Sequence, residues 1–151
     1  MMGSIALAFF AGLHHWWPKM FGVMYNEFQA KIACALIFVG FNATFLPQFI
    51  MGSRGMPRRY ATYVPEYAPY HQASTIGSMI LGAGVAMMVI YLLASLLIRK
   101  KAKENQWGGV TLDWVAPTPP PHLNFDHEPK VVHEVYDYST LDYDSMQRDC
   151  S

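Results

Sequence analysis

The sequence predicts an all-α transmembrane protein that ends in an extended, Pro-rich tail. Two segments carry the prediction. Residues 32–50 (IACALIFVGFNATFLPQFI) and 75–98 (TIGSMILGAGVAMMVIYLLASLLI) contain no formal charge, and each has about the 20 apolar residues needed to cross a bilayer. The third observation is compositional. Of 151 residues 52% are apolar and only 15% charged, whereas roughly a quarter of an ordinary soluble domain is charged. Mean hydropathy is nevertheless only +0.12, because the chain joins two unlike parts. Up to Ile98 five cations face two anions, a net of +3; from Arg99 onward six cations face nine anions, a net of −3. The neutral total hides this split. No basic excess remains to suggest a nucleic-acid partner.

Taken in order, residues 1–17 are expected to be the end of a transmembrane helix that has been cut into, since the apolar run starts at the first residue. No cationic segment precedes it and no small-residue cleavage site follows, so it does not resemble a secretory signal. Trp16 and Trp17 read as interface anchors, with the rings buried and the indole N–H wet. His14 and His15 point about 100° apart on a helix and cannot comfortably share an ion; they read as interfacial polar groups. Asn26, followed three residues later by Gln29, suggests a capping box that opens a transmembrane helix over 28–50. Within it Asn42, Thr44 and Gln48 lie at membrane depth and should face protein, not lipid. An outer loop is expected over 51–74 and the last transmembrane helix over 75–98. There Ser74, Ser78, Gly82 and Ala86 recur every four residues, as on a face that lets another helix approach. Met79, Met87 and Met88 read as packing.

Charge sets the orientation. Arg99, Lys100, Lys101 and Lys103 form a dense block at a helix end, which the positive-inside rule puts in the cytoplasm. Lys19 and Lys31 then fall on the same side, and 51–74 falls outside. That loop holds Arg54, Arg58 and Arg59 against Glu66 alone, contrary to the bias. The adjacent pair Arg58 and Arg59 makes sense there if it binds a buried anion, which a planar guanidinium can grip bidentately; lipid phosphate or solvent is the competing use.

The tail, 99–151, is expected to be cytoplasmic. Pro117, Thr118, Pro119, Pro120 and Pro121 exclude a helix and favour polyproline II. Trp107, Trp114, Phe125 and Tyr136 are expected to pin it along a partner surface. His122, His127 and His133, spaced by five and six residues in an acidic segment, match no closed metal site. Cys34 and Cys150 stand alone, so neither a disulfide framework nor a CxxC site is available. No phosphate loop, GxSxG elbow or HExxH motif occurs.

The segments GLHHWWPKMFG, GFNATFLPQFIMGSRGMPRRYATYVPE and STIGS closely resemble the C-terminal part of subunit I of the haem-copper cytochrome c oxidases, over residues 1 to about 98. WGGVTLDW followed by PPPHLNF resembles the extension of bacterial members. The resemblance implies the last helices of a twelve-helix bundle: the end of the tenth, and the eleventh and twelfth. It implies a multi-pass protein of the bacterial inner membrane with a cytoplasmic C-terminus. It also implies that Arg58 and Arg59, in GMPRRY, contact the propionates of the haem cofactors. The axial histidines, copper ligands, cross-linked tyrosine, proton entry and outer magnesium site of that family have no counterpart here. The isolated chain is therefore expected to be inactive, with no metal ligand of its own. Implied partners are the remainder of subunit I, subunits II and III, cytochrome c and the lipid bilayer. A quinol oxidase of the same superfamily and a non-catalytic remnant or assembly piece stay open.

Overall fold

The computed structural model describes residues 2–125, 128, 129, 134 and 137–139. His127, His133, Tyr136 and Cys150 lie outside them. Among the described residues the chain is helical, without strands: α1 (Met2–Phe21), α2 (Glu27–Ser53), a 3-10 turn at Pro65–Tyr67, α3 (Ala68–Ile98) and α4 (Leu112–Val115). α2 and the run Pro65–Ile98 are long and apolar enough to cross a membrane.

Each helix outruns its apolar span. α1 continues past Trp17 to Phe21 through Pro18, which removes one N–H from the ladder while its own carbonyl still accepts from Gly22 N at 2.9 Å. α2 opens as the capping signal predicts: Asn26 Oδ1 accepts from the backbone N–H of Phe28 at 3.0 Å and of Gln29 at 3.4 Å. α3 starts seven residues before Thr75, since Pro69 occupies a first-turn position where a missing N–H costs nothing. The connection expected over 51–74 therefore shrinks to 54–67.

The chain divides into two compact units, residues 25–97 and residues 1–24 with 98–151. The first is an antiparallel helical hairpin. Along α2 the buried positions are Ala33, Ile37, Gly40, Thr44 and Met51; along α3 they are Ser74, Gly77, Gly84, Met88, Tyr91, Leu92 and Ser95. Apart from Leu92 the spacings are three, four and seven, as in the seam of a left-handed helix pair. The register is set by glycine. A Cβ on Gly77 would lie 2.5 Å from Ala43 C and from Thr44 N, and one on Gly40 would strike the backbone of Leu81. The Thr44 hydroxyl, buried at the seam, donates to Gly40 O within α2 at 2.7 Å, while Ser74 Oγ donates to the Thr44 backbone carbonyl at 2.9 Å; among the polar side chains of α2, Gln48 bonds across, its Nε2 donating to Ser74 Oγ at 2.9 Å. Asn42 does not; its amide bonds to Phe38 O within α2 at 2.8 Å. Of the four-residue stripe, Ser74 meets α2. Ser78, Gly82 and Ala86 are exposed, because a partner helix follows the 3.5-residue repeat and a strict spacing of four drifts off it.

The second unit folds the tail onto the end of α1. Arg99, at φ +53°, terminates α3 in the left-handed region. Lys100 O then accepts from Met24 N at 2.8 Å, and Ala102 N donates to Gly22 O at 3.0 Å. Trp107 Nε1 donates to His15 O at 2.9 Å, and its ring stacks on the His15 imidazole at 6.0 Å; Trp114 meets the same imidazole edge-on at 5.1 Å. Trp107 and Trp114 thus pack on α1 of their own chain. The tail is not wholly extended either, since α4 forms one turn before the prolines. Trp17, expected at the lipid interface, is buried and packs on Phe21 at 4.5 Å. Trp16 remains half exposed.

Candidate functional site

The loop between α2 and α3 holds the arginine pair. α2 ends by bringing its last carbonyls back to the chain: Arg54 N donates to Ile50 O and Met51 O, and Met56 N donates to Met51 O, all at 3.2 Å. Gly55, at φ +88°, makes that reversal without steric cost. A clasp then ties the two helix ends together. Arg54 Nη1 donates to Tyr70 Oη at 2.9 Å, its guanidinium lies 5.3 Å from the Tyr70 ring centroid, and Tyr67 Oη donates to Arg54 O at 3.3 Å.

Above the clasp the chain turns at Arg58 and Arg59, and Arg59 sits in the left-handed region at φ +56°. Both side chains are exposed. Among the described residues neither makes a hydrogen bond or ion pair, unlike Lys31, which lies 3.9 Å from Glu27 on the surface of α2. Two adjacent guanidinium groups therefore present their donors outward, with no internal carboxylate neutralising them. Such a pair suits a ligand with carboxylate or phosphate oxygens. Next to it Tyr60, Tyr63 and His71 form an aromatic cluster: Tyr63 to His71 4.3 Å, Tyr60 to His71 5.5 Å and Tyr60 to Tyr63 6.1 Å between ring centroids.

A second polar centre is Lys19, beyond the apolar stretch of α1 and almost completely buried. Its ammonium donates to Glu104 O and Trp114 O, each at 3.2 Å, and to Ala116 O, and it lies 5.8 Å from the Trp114 ring centroid. Burial lowers its pKa from the ordinary lysine range, and the Glu104 carboxylate opposes that shift. Among the described residues no three His, Cys, Asp or Glu side chains gather as a metal site.

The structure thus places Arg58 and Arg59 together on one turn. The supporting residues Tyr70, Tyr60, Tyr63 and His71, and the cradle of Lys19, were not singled out from sequence; Arg54 stood out there by its charge alone. A signal for the first group existed in the recurrence of tyrosine at 60, 63, 67 and 70, at the spacing of one helix face.

The family described as Cytochrome C and Quinol oxidase polypeptide I matches residues 1–80, which include α1, α2 and the whole arginine loop. The chain belongs to this family. Relatives of the oxidase polypeptide extend the match into the tail. Heme-copper oxidase subunit I+III of Aeropyrum pernix is 43% identical over 132 residues, covering 87% of this chain and 16% of the relative. Cytochrome c oxidase subunit 1 of Synechocystis sp. is 40% identical over 138 residues, 91% of this chain and 25% of the relative. The subunit 1 of Bacillus sp. is 40% identical over 134 residues, 87% and 22%. The chain spans a quarter or less of the length of these oxidase subunits.

Proposed function

We propose that this chain is the C-terminal part of subunit I of a terminal respiratory oxidase, and that Arg58 and Arg59 hold haem propionates. The observation that carries the reading is the exposed, unneutralised guanidinium pair on a loop that lies wholly inside the family match. The donor set fits the group, because two planar forks match two carboxylates. When bound, haem supplies reversible one-electron chemistry and, where a coordination position is open, oxygen binding. The chain's own contribution is to hold the carboxylates, keep them ionised and set the local potential through two fixed positive charges. The complete oxidase would reduce oxygen to water with electrons from cytochrome c and pump protons.

In this reading α2 and α3 cross the bacterial inner membrane. The loop 54–67 faces outward, and the cationic segment after Ile98 faces the cytoplasm. Subunits II and III and the rest of subunit I complete the enzyme. The family description covers quinol as well as cytochrome c, so a quinol oxidase is the second reading; the names of the Synechocystis and Bacillus relatives favour cytochrome c.

The axial and copper ligands would come from the rest of subunit I. Purified alone in detergent, this chain should show no low-spin haem absorption band; combined with the rest of subunit I it should yield the oxidase spectrum. A stoichiometric haem band on the chain alone would refute the assignment.

A further inference from the structure

Arg59 occupies a left-handed backbone conformation that an L-residue with a side chain adopts at a cost. Such a turn persists only if its flanks hold it. On the N-terminal flank the last anchor is Met56, whose N–H bonds to Met51 O; on the C-terminal flank regular hydrogen bonding resumes where Tyr67 N donates to Val64 O. Among the described residues, the hydrogen bonds and ring contacts made by 57–63 all belong to one cluster. Tyr60, the residue after Arg59, meets Tyr63 and His71, and Tyr63 meets His71. Of these three rings, His71 alone sits on a rigid element, the first turn of α3. It is half-buried, while Tyr60 and Tyr63 are 43% and 48% exposed. The polar contact in the cluster, Tyr60 Oη to His71 Nε2, is long at 3.5 Å. The closer contact is between the rings.

We propose that His71 is a positioning residue. Through its ring contacts with Tyr60 and Tyr63 it fixes the arginine turn to α3, so that Arg58 and Arg59 are presented together to an anionic group. The proposal rests on the reading of that turn as a propionate site, and its test separates the two. Removing the ring frees residues 57–63 from α3, whereas a phenyl ring in the same place keeps the contacts and discards the polar one.

Limited trypsin digestion of the full chain in detergent, followed by mass spectrometry of the fragment beginning at Tyr60, reads the exposure of the turn directly. His71→Ala should be nicked on the order of tenfold faster than the parent, the scale set by losing two aromatic contacts, and His71→Phe within about twofold of it. In the complete oxidase, His71→Ala should shift the haem midpoint potentials in the same direction as Arg59→Gln, and by less; His71→Phe should leave them in place. Nicking of His71→Ala at the parent rate overturns the proposal, as does rapid nicking of His71→Phe. It is also overturned if Arg59→Gln moves the potentials and His71→Ala does not. If both Arg58→Gln and Arg59→Gln leave the potentials unchanged, the propionate reading fails, and the nicking rates alone decide whether His71 positions the turn.

Discussion

Gly77→Leu is expected to separate α2 from α3. Even the first carbon of a new side chain would lie 2.5 Å from two backbone atoms of α2, and backbone in a regular helix cannot yield as a flexible side chain can. The helices must move apart, which lengthens the Ser74 bonds to Thr44 and Gln48 and forfeits packing along the rest of the seam. Overpacking of this kind costs about 1–3 kcal/mol in soluble cores. The expected loss lies at the top of that range, because helix association in a bilayer depends on close packing and interhelical hydrogen bonds. Gly82→Leu is the matched control, since nothing lies within 4 Å of the Cβ it would add. Spin labels at the exposed positions Phe45 and Ile76 should report one narrow distance in the parent and in Gly82→Leu, and a longer, broader distribution in Gly77→Leu. Equal distributions in all three would contradict the seam.

Lys19→Met should release the tail from α1. The ammonium donates to carbonyls of Glu104, Trp114 and Ala116, residues 85 to 97 positions away in sequence. Met keeps the apolar stem and removes the donors. Trp114 and Ala116 are almost fully buried, so their carbonyls lose a charged partner without gaining water. Each orphaned buried acceptor costs about 1–3 kcal/mol. A total near 3 kcal/mol weakens docking by on the order of a hundredfold. Trp114 emission should move to longer wavelength, and amide exchange over residues 104–116 should accelerate. Unchanged emission and exchange would show that the tryptophan contacts with His15 hold the tail by themselves.

How much of this could be read from the sequence depends on whether a feature is local. The two long spans were legible because the bilayer demands an uncharged run of fixed length, and Asn26 marked the start of α2 because a cap acts within three residues. Arg58 and Arg59 stood out because they break the charge bias of the side they were assigned to. The seam between α2 and α3 was not legible, for a physical reason. Small residues occur both at 74, 78, 82 and 86 and at 74, 77 and 84, and only the facing helix selects between the two. Contacts that close a long loop were not legible: Lys19 reaches the tail, and His71 reaches Tyr60 across the arginine turn. The tail was expected to need a partner surface because it lacks a core of its own; the end of α1 supplies one for Trp107 and Trp114.

The central claim is that Arg58 and Arg59 act on the haem carboxylates. Redox titration of the haem bands in the complete oxidase, with Arg58→Gln and Arg59→Gln measured beside the parent, tests it most directly. Removing a fixed positive charge next to the propionates favours the oxidised, more positively charged haem, so both midpoint potentials should fall. Potentials and proton pumping unchanged in both variants would contradict the account.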